Sequence, residues 1–303
     1  MFVQTDRPLK LTTPLGPDAL ILVGFQGSEA ISQLFHFELQ TAWGDKTKLL
    51  PFDQLLGKKV TVEISPAKNK RYFNGIVCKV TQGGRDENFT SYTLEVVPQL
   101  WLLDRKLRSR TCQHISVPDI LKRLFTGLDV AYQIEGTFEP REYCVQYRET
   151  DFAFASRLME EEGIFYFFKH TSSGHQLVLA NTPQSHPALP YLPTAICEDA
   201  AYPSFEEERV FEWNKGQEIR SGKFTSWDHK FEMPTKHLEA DKTIMDSVTV
   251  GTVTHKLKVA NNDSLELYDY PGGYAGRFDG INKSGGEQAS SLQHIFTDNK
   301  RTV

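Results

Sequence analysis

Tyr143-Cys-Val-Gln-Tyr-Arg-Glu-Thr-Asp-Phe-Ala-Phe-Ala-Ser-Arg-Leu-Met-Glu-Glu-Glu-Gly-Ile-Phe-Tyr-Phe-Phe168 spells three elements together with the punctuation between them. Tyr143, Val145 and Tyr147 alternate with Cys144 and Gln146, the period of a half-buried strand. Thr150 is placed to cap a helix by accepting from a free first-turn N–H. Asp151 follows it at the positive end of the helix dipole. Phe154, Ala155, Leu158 and Met159 share one helical face, so that face should pack. Gly163 supplies a left-handed stop. Ile164 to Phe168 is short, aromatic and apolar throughout, which suits a strand buried on both faces. The stretch therefore reads as strand, helix, strand.

Working outward from it, the next helix lies upstream. Ser116 stands at an N-cap position and Pro118 in the first turn, where a missing N–H costs nothing. Ile120, Leu121, Leu124, Phe125 and Leu128 form its stripe. Downstream, Phe165–His170 and Gln176–Ala180 bracket Thr171-Ser172-Ser173-Gly174 as a hairpin. Strands carrying two helices make this an α+β unit.

The first hundred residues have a different texture. Leu20–Phe25 is a dense apolar run. In Leu34–Gln40, Phe35, Phe37 and Leu39 alternate with His36, Glu38 and Gln40, so one face is core and the other wet. Val60, Val62 and Ile64 alternate with Thr61 and Glu63. Tyr72–Gln82 and Phe89–Pro98 flank a polar loop that contains Gly83 and Gly84. Five short strands without a convincing helix suggest a barrel or sandwich. Beyond residue 184, Pro187, Pro190, Pro193 and Pro203 mark Ser185–Pro203 as a linker or long loop. Val210–Asn214, Glu218–Trp227, Ser247–Thr254 and Ser264–Tyr270 are further strand candidates, and Leu292, Ile295 and Phe296 fit a short helix.

At 303 residues the chain is long enough for about two domains. Its formal net charge of −5 gives no global basic excess for nucleic acid. The basic run Asp104-Arg105-Lys106-Leu107-Arg108-Ser109-Arg110 is local and reads as a solvated edge or loop. Cys78, Cys112, Cys144 and Cys197 contain no C-x-x-C pair, so neither a thiolate zinc site nor a disulfide framework is expected. The N-terminus lacks an apolar signal core, and Ala19–Val23 is far short of the ~20 residues that span a bilayer. The expectation is a protein made in the cytoplasm without a cleaved signal peptide.

No catalytic constellation is legible. Glu160, Glu161 and Glu162 are neighbours in one helical turn and diverge, whereas a glycosidase needs two carboxyl groups facing across ~5–9.5 Å. They read as a solvated face, although acids at the negative end of a helix dipole invite a cation such as Arg148 or Arg157. The nine histidines show no H-E-x-x-H pattern. His170 and His175 flank a hairpin turn and read as surface imidazoles. Ser156, Ser290 and Ser291 lack a nucleophile elbow. Gly83-Gly84 and Gly272-Gly273 lack phosphate-loop spacing. Phe165–Phe168 reads as a core strand ahead of a sugar platform. No catalytic, cofactor-binding or metal-ligating residue is assigned, and no cofactor.

The run Gln146–Phe168 resembles the signature of the VgrG family, the spike proteins of type VI secretion systems, related to contractile-phage baseplate hubs. Ser116-Val117-Pro118-Asp119-Ile120-Leu121 and Tyr268-Asp269-Tyr270-Pro271-Gly272-Gly273 extend the likeness over nearly the whole chain. The resemblance implies a mainly β fold with α+β elements: two antiparallel β-barrel hub domains, ending before the oligonucleotide-binding-type barrel and β-helical needle. Residues 1–104 would form the first barrel, with about 205–235 as a candidate for completing it. Residues 105–204 would form the second barrel with its two helices, and 205–303 a further hub region. The implied role is a structural homotrimer, without catalysis, joining a hexameric secreted tube to a needle. Its implied partners are the tube protein, baseplate proteins and effector cargo, with the target membrane met through the needle. It would leave the cell by the type VI route. A hub fused to wall-hydrolase activity and a carbohydrate-binding β-protein are the alternatives.

Overall fold

Residues 9–97 alternate apolar and polar side chains along six strands, and these assemble into one antiparallel sheet. In the computed structural model the described residues are 3–45, 48–65, 70–182, 196–197, 209–210, 212–231, 234–235, 237–250 and 253–275. The strands are β1 (Leu9–Thr12), β2 (Leu20–Ser28), β3 (His36–Trp43), β4 (Lys59–Ile64), β5 (Arg71–Arg85) and β6 (Thr90–Val97). Their order is β1-β4-β5-β6-β3-β2, which leaves β1 and β2 as the two edges. The Gln4 side chain joins those edges. Its Oε1 accepts from Leu11 N at 3.0 Å and from Leu22 N at 3.2 Å, and its Nε2 donates to Leu11 O at 3.2 Å. The sheet is thus a nearly closed barrel, and closure removes the exposed edges on which sheets aggregate.

The barrel is filled as the alternation requires. Phe35, Phe37 and Leu39 are buried with Leu20, Leu22, Val60, Val62, Leu94 and Val96, while His36 and Gln40 are exposed. Phe35 stacks on Phe37 with ring centroids 4.5 Å apart. Strands β5 and β6 form the expected hairpin, although β5 continues through Gly83 and Gly84 to Arg85, with register shifts on the way.

A 3-10 helix, Gln99–Arg105, leads into the second unit. That unit contains β7 (Leu107–Ile115), α1 (Val117–Leu124), β8 (Val130–Gln133), β9 (Arg141–Thr150), α2 (Asp151–Glu161), β10 (Phe165–His170) and β11 (His175–Ala180). Strands β7 and β9 pair antiparallel, and a second sheet runs β10-β11-β8 with β11 parallel to β8. Helix α2 begins and ends where its signals lie. Thr150 Oγ1 accepts from Ala153 N at 3.0 Å, and Gly163 adopts φ +66°. Phe154, Ala155, Leu158 and Met159 are all buried, in a core shared with Ile120, Leu121, Leu124 and Phe125 of the α1 region. Each such large apolar side chain contributes roughly 1.5–3 kcal/mol by leaving water.

The structure settles the facing of β9, which the alternation left open, and departs from local expectation at two further places. The alternation in β9 buries Cys144 and Gln146 and turns Tyr143 and Tyr147 outward, 55% and 70% exposed. The run after Gly163 is not buried on both faces: Ile164 and Tyr166 are, but Phe165, Phe167 and Phe168 are half-buried. Ser116 occupies the N-cap position, yet its Oγ bonds Asp119 Oδ2 at 2.9 Å instead of a backbone N–H.

The remaining strands are β12 (Ile196–Cys197), β13 (Arg209–Val210), β14 (Lys223–Asp228), β15 (Leu238–Thr243), β16 (Ser247–Val250), β17 (Val253–Lys256) and β18 (Glu266–Asp269). Strand β14 pairs antiparallel with β15 and parallel with β18, and β16 with β17 is a hairpin. Strand β15 went unnoticed in sequence because Glu239, Asp241 and Lys242 mask its period. Residues 215–222 are not strand, where Glu218–Trp227 was expected to be one throughout. Most of Ser185–Pro203, and all of Leu292–Phe296, lie outside the described residues. Among the described residues no helix is long and apolar enough to cross a membrane.

Candidate functional site

The β9–α2 junction gathers the charged groups that sequence singled out, and it arranges them as cross-links. Arg141 opens β9 with its side chain turned into the core. Its Nη1 donates to Glu161 Oε2 and its Nη2 to Glu162 Oε1, each at 2.5 Å. Arg157 adds a bond to Glu149 Oε1 at 2.6 Å and a contact with Glu161 Oε1 at 3.5 Å. Burial alone would lower the Arg141 pKa, but the Glu162 and Glu161 carboxylates outweigh it and raise it. Glu162 is buried, so the solvated acidic face survives only at Glu160. The cation that the dipole conflict demanded is Arg141 together with Arg157; Arg148 instead sits at φ +50°, its N–H donating to Ser109 Oγ at 3.2 Å.

The basic run is likewise only partly an edge. Arg105 lies over the Trp101 ring at 4.4 Å. Arg110 bonds the buried Asp151, and Arg108 approaches the same carboxylate at 3.6 Å. Gln146 Nε2 donates to Asp151 Oδ1 and to Glu149 O, each at 3.0 Å, which satisfies the amide nitrogen of this buried glutamine. The large apolar side chains exposed on this two-stranded sheet are Leu107, Tyr143 and Tyr147. Large exposed apolar groups on one element mark a contact surface more readily than a catalytic one.

The Tyr268–Gly273 motif builds a lock. Tyr270 packs on Trp227 with centroids 5.4 Å apart, and Gly272 N donates to Trp227 O at 3.0 Å. A Cβ on Gly272 would meet Ser226 Oγ at 2.4 Å and the Tyr274 ring at 2.5 Å, so a side chain there must displace its neighbours. The Tyr274 hydroxyl bonds Leu238 O, and Ala275 N donates to Asp228 Oδ2 at 2.8 Å, tying the turn to β14 and β15.

His170 and His175 are not surface imidazoles. His175 is 5% exposed, between Gln99 and Asn74, and the His170 side chain is 8% exposed. Its phase with Leu177 and Leu179 was the available signal. Cys144 is buried and Cys78 half-buried; burial pushes both thiols up, away from reactivity.

An open groove of about 860 Å³ lies against the barrel, lined by Val3, Arg7, Val23, Arg85, Asp86 and Phe89 among others. Asp86 is its one acidic lining residue, and its Oδ1 already accepts from Asn88 N at 2.7 Å and Phe89 N at 2.6 Å. That lining does not offer the facing pair of carboxyls that glycoside hydrolysis requires.

The phage tail baseplate hub (GPD) family matches residues 28–295. The chain belongs to that family. Two spike proteins of the type VI secretion system from Pseudomonas aeruginosa are similar to this hub chain. VgrG1c is 34% identical over 290 residues, covering 92% of this chain and 37% of the relative. VgrG1a is 34% identical over 288 residues, covering 92% and 42%. The hub chain thus spans about two fifths of the length of these curated relatives. Its fold is like that of the E. coli c3393 protein, described as a type VI secretion component similar to T4 bacteriophage tail proteins gp27 and gp5. The TM-score is 0.55 at 21% identity, covering 63% of this chain and 53% of that one. The hub chain is VgrG-like and phage tail-like, as its signature implied.

Proposed function

We propose that the chain is the structural hub region of a type VI secretion spike, acting as a homotrimeric adaptor between a hexameric tube and a puncturing needle. The observation that carries this reading is the family match across residues 28–295, joined to relatives that are themselves spike proteins. Three copies would close head to tail, using two different patches of each chain. In this reading residues 1–104 form one barrel, with about 205–235 as a candidate for completing it, 105–204 a second barrel carrying two helices, and 205–303 a further hub region. The role is mechanical in this reading, with Glu161 and Glu162 at the end of α2 serving as cross-links to Arg141 and Arg157. Baseplate proteins and effector cargo complete the partners. Export by the type VI route accompanies this role.

The test is sedimentation of this chain and of a longer version that carries a needle, beside a peptidoglycan hydrolysis assay. A weak trimer that strengthens with the needle, without hydrolysis, is expected. A lasting ring contact should bury at least ~1,000 Å². A longer version that stays monomeric at tens of micromolar (a range set by ordinary interface affinities), or a stable dimer in both, overturns the ring. Hydrolysis by the folded chain overturns the mechanical reading.

A further inference from the structure

Between the barrel and the second unit lie two imidazoles whose ring nitrogens are all engaged. His175 Nε2 accepts from the backbone N–H of Gln99 at 3.0 Å, and His175 Nδ1 lies 2.9 Å from Asn74 Oδ1. His170 Nδ1 accepts from the backbone N–H of Asn74 at 3.0 Å, and His170 Nε2 lies 2.8 Å from Glu29 Oε1. Asn74 Nδ2 donates to Thr61 Oγ1 at 2.7 Å, which fixes Oδ1 as the face shown to His175. Asn74 belongs to β5 of the barrel, while His170 and His175 belong to β10 and β11. One asparagine therefore holds both histidines, and the contact joins the two units.

The bonding fixes the tautomers. A nitrogen that accepts an N–H cannot carry a proton, so His175 is Nδ1–H and His170 is Nε2–H, both neutral. An imidazolium has two donors and no acceptor. Protonation of His175 would set its Nε2–H against the Gln99 N–H, and protonation of His170 would do the same against the Asn74 N–H. The surroundings oppose the charge at His175. Phe35 and Phe168 pack on its ring at 5.5 and 6.1 Å. Burial lowers its pKa to about 4, Lys59 pushes the same way, Asp129 pulls upward, and any proton gained by His170 would push it down further. His170 sits among Phe35, Phe37 and Phe73, with Glu29 as its facing carboxylate.

We propose that His170, Asn74, His175 and Gln99 form an acid-sensitive latch between the barrel and the α/β unit. The latch is closed while the His175 imidazole is neutral and opens as it gains a proton. A base whose folded pKa is depressed contributes stability that is fully present above the ordinary imidazole value. That contribution is lost as pH falls from about 6.5 to about 4.

The experiment is NMR on the whole chain, reading imidazole ¹⁵N shifts and amide protection factors across pH. The expected result is an Nδ1–H tautomer at His175 that resists titration until about pH 4. Protection at the Gln99 and Asn74 amides should fall tenfold to about a hundredfold between about pH 7 and pH 4.5, while Leu94 inside the barrel holds. His175→Gln, which keeps a donor and an acceptor but cannot titrate, should flatten the fall at Gln99. Titration of His175 at the ordinary imidazole value, or protection at Gln99 and Asn74 indifferent to pH, overturns the latch. Should the glutamine variant fail to fold, the wild-type titration decides by itself.

Discussion

Arg141 and Glu162 face each other inside the second unit at 2.5 Å, with side chains only 4% and 5% exposed. One lies at the first residue of β9 and the other at the C-cap of α2, so the pair pins a strand to the end of the helix that follows it. The helix end bears partial negative charge and three consecutive glutamates, and Arg141 relieves both at once. The partner of this acidic end is internal, which removes the strongest sequence hint of a catalytic or docking role for Glu161 and Glu162.

Removing one member of such a pair leaves the other charge buried. Arg141→Met should therefore cost about 3–5 kcal/mol, and Glu162→Gln should be clearly destabilising, whereas Glu160→Gln should stay within about 0.5 kcal/mol. Urea denaturation of the three variants checks this order. Equal midpoints for all three would show that the pair does not hold β9 to α2.

Leu158 has no exposed surface and sits in the core stripe of α2. Leu158→Ala should cost about 2–5 kcal/mol, depending on how far the site collapses. An unchanged denaturation midpoint would remove Leu158 from the core.

Local signals were readable because each involves residues close in sequence. Thr150 and Ala153 are three apart, Gly163 acts on its own backbone, and the stripe Phe154, Ala155, Leu158, Met159 repeats with the helix. The barrel interior was readable at Phe35, Phe37 and Leu39 for the same reason. What stayed hidden has no period. Gln4 reaches Leu22 across eighteen residues, Asn74 reaches His175 across a hundred and one, and nothing in sequence marks either partner. Strand β9 shows the ambiguity at its sharpest. Its alternation announces two faces without saying which is inward; the inward face carries Cys144 and Gln146, and the Gln146 amide bonds Asp151.

Gly272 and Gly273 look alike in sequence and should respond differently. Gly272→Ala drives a methyl group into Ser226 and Tyr274, so the Tyr274 ring or the turn must shift, at about 1–3 kcal/mol. At Gly273, nothing lies within 4 Å of an added Cβ, but its φ of +67° strains any side chain, at roughly 1 kcal/mol. Trp227 packs at a tilt against Tyr270, so tryptophan fluorescence should shift with Gly272→Ala and barely with Gly273→Ala. The reverse order would mean that backbone conformation, not the close approach, fixes this turn.

Gln4 supplies the seam of the barrel. The strand order leaves β1 and β2 without a backbone ladder between them, and one amide side chain stands in for it by serving Leu11 and Leu22 together. Asp18 steadies it by accepting from Gln4 N at 2.9 Å. Gln4→Ala would leave two buried N–H groups unsatisfied, each at about 1–3 kcal/mol, partly offset where water enters the opened seam. Gln4→Glu keeps an acceptor for both N–H groups but loses the donor to Leu11 O and buries a charge, so it should also destabilise, increasingly as pH rises through the carboxylate range. Hydrogen exchange localises the effect: amide protection at Leu11 and Leu22 should drop in Gln4→Ala well before that of Leu94 in β6, which lies away from the seam. Loss of protection at all three positions together would instead make Gln4 part of the global core, with no distinct role in closing the barrel.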